Sequence, residues 1–326
     1  MADDFAVIHE GAEVHRFDDL QPGTDYEFLG HAVRTLRRPG GELLSRYATV
    51  NDVHFGEVEC GRIDEHPDGP IIRPAPGEPP YPVTMNEGAV AEISECGITM
   101  VIVKGDVTSD GTDEEIAAFE RCYRDVFGDG LHVVRGNHDS YRLQTNFAGD
   151  QAVELPGLTV AVIDTVIPGK STGQVSAATI EWLDGVAAAS DTPLMVVGHH
   201  PQWVSGERSP DYFGINPDDS DALTGVIARR PSILAYAAGH THRHRVRRLA
   251  SGVPTIEVGC VKDFPGTWAE YRVFEDGVLQ IVHRISTPAA LAWSERCRHL
   301  YSDFGIDYAT YALGSLEDRC FTIDKR

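Results

Sequence analysis

The stretch ITMVIVKGDVTSDGTDEEIAAFERCYRDVFGDGLHVVRGNHD, residues 98–139, decides the fold class. Ile98–Val103 is an unbroken apolar run of strand length that stops just before Gly105-Asp106. Thr112-Asp113-Glu114-Glu115 then has the spacing of a capping box, in which the Thr and Glu side chains satisfy each other's backbone amides. It opens a helix that sets Ile116, Phe119, Tyr123 and Phe127 on one face. Leu131–Val134 is the next strand and runs into Gly136-Asn137-His138-Asp139. Strands alternating with a helix, with polar residues where each strand stops, make an α/β pattern, and open sheets place their sites at strand ends.

The same reading extends in both directions. Upstream, Arg46–Asn51 is a strand that delivers Asn51-Asp52-Val53-His54. Downstream come a strand at Leu158–Ile163, a helix around Ala177–Ala189 with Ile180 and Leu183 inward, and strands at Leu194–Val197, Ile233–Ala237 and Thr255–Val258. The pair Glu270–Phe274 and Val278–Val282 completes the strands. Two of these lead into Gly198-His199-His200 and Gly239-His240-Thr241-His242.

Turn signals at Pro22-Gly23-Thr24-Asp25 and Pro39-Gly40-Gly41 predict an N-terminal β extension over residues 1–44. A catalytic domain is expected over 45–290 and a C-terminal extension over 291–326, packed on that domain or on a partner subunit. Residues 57–82 are rich in Pro, Gly and charge with no apolar period. Such a segment is expected either to wall the site, with Arg62, His66 and Arg73 as substrate contacts, or to be a surface insertion.

Composition limits the function classes. With 28 Lys+Arg against 50 Asp+Glu, the chain carries a formal charge of -22, which repels a polyanion and disfavours nucleic acid as a partner. The N-terminus has neither a basic start nor a long apolar core, and the apolar runs are too short for a membrane span. Six cysteines without a CxxC pair read as reduced thiols, so a cytoplasmic location is expected. Oligomeric state has no signature.

The chemistry lies in the five clusters that follow strands: Asp52-Val53-His54, Gly105-Asp106, Gly136-Asn137-His138-Asp139, Gly198-His199-His200 and Gly239-His240-Thr241-His242. A lone Gly-Asp is usually a turn and a lone His-x-His a polar loop. Five such clusters in order, each at a strand end, are a constellation. Carboxylate, imidazole and amide oxygen together suit Mn, Fe, Co or Zn ions.

The order D-x-H, G-D, G-N-H-D, G-H-H and G-H-x-H resembles the calcineurin-like metallophosphoesterase superfamily from about Arg46 to Arg284. Asp164-Thr165, Pro168-Gly169, Trp182-Leu183 and His199-His200-Pro201 look most like its class III cyclic-nucleotide phosphodiesterase group and glycerophosphodiesterase relatives. The resemblance implies a two-sheet β-sandwich flanked by helices, in four layers. It implies one metal ion between Asp52, His54, Asp106 and His242, and a second between Asp106, Asn137, His199 and His240, with Asp106 bridging. Hydrolysis would proceed by in-line attack of a hydroxide bridging the two ions. His138 would approach the leaving group, with Asp139 orienting its imidazole.

Two branches fit poorly. Ser109 stands where purple acid phosphatases carry Tyr, and Ser109-Asp110-Gly111 lacks the Arg of the Ser/Thr protein phosphatases. His200 is expected to pack behind the ligands, or else to touch substrate. The expected substrate is a small phosphodiester, with a cyclic nucleotide as first choice. The alternatives are phosphomonoester hydrolysis and a non-catalytic metal-binding scaffold.

Overall fold

The structure, a computed structural model, describes residues 1–63 and 70–325. Two six-stranded sheets form its centre. The first eight strands are β1 (Ala6–Glu10), β2 (Glu13–Phe17), β3 (Asp25–Phe28), β4 (His31–Arg34), β5 (Leu43–Val50), β6 (Val101–Lys104), β7 (Leu131–Val134) and β8 (Gln151–Leu155). The others are β9 (Leu158–Val162), β10 (Leu194–Val197), β11 (Ile233–Ala238), β12 (Arg245–Arg248), β13 (Pro254–Glu257), β14 (Thr267–Phe274), β15 (Gly277–Arg284) and β16 (Phe321–Asp324). One sheet has the order β16-β15-β14-β5-β6-β7, the other β12-β13-β11-β10-β9-β8.

The strands that carry the clusters are parallel: β5 to β6 to β7 in one sheet, and β9 to β10 to β11 in the other. Apart from β5, which carries Ser45 and Arg46 in its less buried half, they read as nearly continuous apolar runs because both faces are covered. Tyr47, Ile102, Val134, Val160, Val162, Met195, Val197 and Tyr271 interlock between the sheets. The helices Tyr81–Glu95 and Asp113–Phe119 cover the outer face of one sheet, and Ala177–Ala189 and Pro217–Arg229 that of the other. The result is the expected helix, sheet, sheet, helix arrangement.

Local signals are realised where they have a physical basis. Thr112 accepts from the Glu115 amide and the Glu115 side chain accepts from that of Thr112, closing the capping box. The helix continues through a π-helical turn at Glu120–Arg124, and Phe119, Tyr123 and Phe127 are buried. The helix Tyr81–Glu95 carries no such signature and goes unread in the sequence. Pro82 stands in the first turn, where proline is tolerated, but Thr84, Asn86 and Gly88 are weak helix formers, and tertiary contacts outweigh their propensities. Asn86, for example, is buried, accepts from the Tyr123 hydroxyl and donates to Val53 O.

The N-terminal residues form two hairpins, β1–β2 and β3–β4. At the other end, β16 adds antiparallel to β15, and the helix Pro288–Cys297 packs with Tyr81 and Met85 in one core. Among the described residues no helix is long and apolar enough to cross a membrane.

Candidate metal centre

The parallel strands of both sheets end on the same side of the sandwich, and the five clusters converge there. The Asp52 amide donates to Gly105 O, and those of Val53 and His54 to Asp106 O, so the first two loops are tied backbone to backbone. Asp52, His54, Asp106, His240 and His242 all have left-handed φ, between 48° and 70°. A non-Gly residue in that region costs on the order of 1 kcal/mol, and such residues concentrate at functional sites. Gly136 answers a different demand. A Cβ there would run into the Asp106 carboxylate and amide, so this close approach requires glycine.

The seven expected ligands lie together. The Asp106 Oδ2 oxygen is 3.6 Å from His54 Nε2 and 3.2 Å from His199 Nε2. Asp52 Oδ1 is 3.4 Å from His242 Nε2, and the ligand atoms of Asp52, His54 and His242 form one compact group. On the other side, His199 Nε2 is 3.0 Å from Asn137 Oδ1, and His199, His200 and His240 form a second group.

This donor set fits metal ions. The Nε2 atoms of His54 and His240 are buried without a hydrogen-bond partner, a costly state unless a cation uses the lone pair. Burial pulls the imidazole of His54 down to about 4 and that of His240 to about 3, leaving both neutral, the form that ligates. At His199 burial is outweighed by the Asp106 carboxylate, which lifts the group to about 9. A proton there occupies the lone pair a metal ion would take, so ion uptake and proton release are coupled.

One expectation about orientation is corrected. Asp139 does not hold His138. Its carboxylate accepts from the amides of Val107, Thr108 and Gly136 at 2.7–3.1 Å and from the Thr108 hydroxyl at 2.6 Å, which locks two loops together. His138 is oriented by a main-chain carbonyl: its Nδ1 donates to Ser109 O at 2.8 Å, which leaves Nε2 for the cavity.

The expected substrate contacts also divide. Arg62 lines the cavity over the site and pairs with Glu59. Arg73 is spent on the same Glu59 and does not line the cavity. His66 lies outside the described residues. His200 is fully buried, 2.9 Å by Nδ1 from the Thr165 hydroxyl, and makes no part of the cavity wall. Its position behind His199 and His240 rules out a substrate contact.

Several contributors escaped the sequence reading. Asp263, six residues beyond β13, places Oδ2 3.3 Å from His242 Nδ1. Lys262 pairs with Glu57, which sits 3.5 Å from His54 Nδ1. The cavity, about 620 Å³, has an aromatic wall of Tyr141, Phe213, Tyr301, Tyr308 and Tyr311. Phe213 is 54% exposed and its ring lies 4.0 Å from that of His240. Tyr301, Tyr308 and Tyr311 all come from the C-terminal extension.

The model of the calcineurin-like phosphoesterase family matches residues 45–244. A probable cyclic nucleotide phosphodiesterase of Synechococcus sp. is 23% identical over 194 residues, 55% of this chain and 73% of that protein. A probable glycerophosphodiester phosphodiesterase of Arcobacter nitrofigilis is 26% identical over 156 residues, 44% of this chain and 56% of the relative. Among solved structures, a dimetal phosphatase from Danio rerio shares the fold with a TM-score of 0.58 at 16% identity, over 75% of this chain and 97% of that one. With its clusters gathered at the strand ends and the family's pattern running through all five, the chain belongs to the calcineurin-like phosphoesterase family, hydrolases that work with divalent metal ions.

Proposed function

We propose that the protein is a binuclear metal-dependent phosphodiesterase, with residues 45–290 as its catalytic unit. The observation that carries this reading is the position of Asp106. One carboxylate oxygen faces His54 at 3.6 Å and His199 at 3.2 Å, between the two groups of ligands. Asp52, His54 and His242 would hold one ion, Asn137, His199 and His240 the other, and Asp106 both. The bound ions would supply Lewis-acid polarisation of the phosphoryl group and activation of a water nucleophile.

The protein's own groups do the rest. The Nδ1–H bond to Ser109 O fixes the His138 ring, so Nε2 is the atom that passes a proton to the departing alkoxide. The Asn137 amide donates to the Tyr141 hydroxyl at 2.6 Å, which aims Oδ1 at the His199 side. The aromatic wall covers the cavity over these groups and suits a diester with a planar or apolar alcohol. A nucleobase meets that description, and the Synechococcus relative is named for cyclic nucleotides.

The test is hydrolysis of bis-p-nitrophenyl phosphate and p-nitrophenyl phosphate by chelator-stripped protein, with Mn, Fe, Co, Zn or Mg restored. Metal-restored cleavage that favours the diester is expected. Preference for the monoester would replace the substrate class, and a folded protein inactive with every ion would overturn the catalytic reading.

A further inference from the structure

The loop that carries His240 and His242 is held from outside the segment that defines the family. The short helix Tyr308–Leu313 lies beyond residue 244, the last one matched by the family model. It nevertheless docks at three points, two on Gly239–His244 itself and one on Asp263, the carboxylate beside His242. The Tyr308 hydroxyl donates to Asp263 Oδ1 at 2.8 Å, while Oδ2 of the same carboxylate is the oxygen beside His242 Nδ1. One turn later, the Tyr311 hydroxyl donates to Thr241 O, the carbonyl between the two histidines, at 2.9 Å. The His244 amide donates to Ala312 O at 2.9 Å.

These contacts meet a need of the loop. His240 and His242 sit at φ of 70° and 54°, a conformation that persists only when the surroundings enforce it. His242 must also present Nε2 towards Asp52, and a carboxylate on Nδ1 sets that tautomer and ring plane. A carboxylate free to rotate would not. Asp263 is fixed by two donors on Oδ1, the Tyr308 hydroxyl and the Cys260 thiol at 3.0 Å. Tyr308 is 3% exposed.

We propose that Tyr308 and Tyr311 are positioning residues for the metal site: through Asp263 and Thr241 O they hold His242 in its ligating geometry, so that the C-terminal helix is a working part of the centre. The inference rests on the binuclear reading above. It assigns the C-terminal extension a role in ion affinity rather than in packing alone.

The experiment is calorimetric titration of Mn²⁺ into chelator-stripped wild type, Tyr308→Phe, Tyr311→Phe and Tyr301→Phe. Tyr301 belongs to the same wall and packs edge-on against Tyr308 at 5.0 Å, so it controls for loss of a hydroxyl that makes none of these contacts. In Tyr308→Phe one of the two binding events is expected to weaken several-fold, up to the roughly ten- to hundredfold that losing Asp263, the hydrogen-bond partner of the ligand itself, would cost. The other event keeps its wild-type affinity, Tyr311→Phe weakens the same event to a smaller degree, and Tyr301→Phe leaves both unchanged.

Thermal unfolding of the ion-free proteins separates positioning from packing: an unchanged midpoint with selectively weakened binding supports the proposal. Wild-type affinity for both ions in Tyr308→Phe would overturn it and leave the binuclear reading intact. A wild-type protein that binds fewer than two ions would overturn that reading, and this inference with it.

Discussion

His199 donates its Nδ1–H to the main-chain carbonyl of Lys104 at 2.9 Å, a bond that joins the end of β10 in one sheet to the end of β6 in the other. Because a carbonyl can only accept, the bond fixes the tautomer and directs Nε2 towards Asp106 and Asn137. The Lys104 side chain returns the tie: its buried ammonium donates to Ala238 O, at the end of β11, at 2.8 Å. The two halves of the centre are thus registered by the sandwich itself, and the predictions below test what each part contributes.

Asp106 is the shared group. Asp106→Asn keeps the volume and removes the charge that faces both His54 and His199. Loss of one ion per chain is expected, with kcat/KM on the diester falling roughly a thousandfold, equivalent to about 4 kcal/mol of charge stabilisation. Metal analysis alongside kinetics checks this. Full ion content and full rate would contradict the assignment.

His138→Ala should lower kcat/KM by about 10²–10⁴ for a diester with an alkyl alcohol leaving group, the usual worth of a positioned acid. The loss should be much smaller with p-nitrophenolate, which departs without a proton. Comparing the two substrates in one variant isolates proton transfer from ion binding.

Asp139→Ala is expected to act first on stability. It strips the acceptor from the buried amides of Val107, Thr108 and Gly136. Each unsatisfied group costs about 1–3 kcal/mol, so urea unfolding should show a loss of at least about 3 kcal/mol. A fully stable variant that had lost only its catalytic rate would restore the orienting role that the hydrogen bonds argue against.

His244 gives the fold an acid-sensitive point. It is fully buried, and its Nδ1 accepts from the Gly259 amide at 3.2 Å. Burial, helped by Arg319, pushes it down to about 3. The folded value lies below the unfolded one, so this stabilisation is whole above the unfolded value of about 6.5 and is lost as pH falls towards the folded one. Wild type should lose about 1.4 kcal/mol per pH unit more than His244→Asn in that window. Equilibrium unfolding of ion-free protein at several pH values measures the difference, and parallel curves would count against it.

The sequence by itself determined the strands that lead into the site and the residues that face one another across it. Apolar runs of strand length, each followed by Asp, His or Asn clusters, are local signals, and no tertiary contact is needed to see them.

Only the tertiary structure decided what orients those residues. Ser109 acts on His138 through a carbonyl that every residue possesses, so no residue type could announce it. Asp139, adjacent in sequence, looked like the partner and is consumed by backbone amides instead. Asp263 and Tyr308 reach His242 from 21 and 66 positions further along the chain. Their proximity is a product of folding: chain separation says nothing about distance once β14, β15 and the terminal helices have packed the tail back across the loop. Ligand identity is local chemistry, whereas ligand orientation is set by long-range packing.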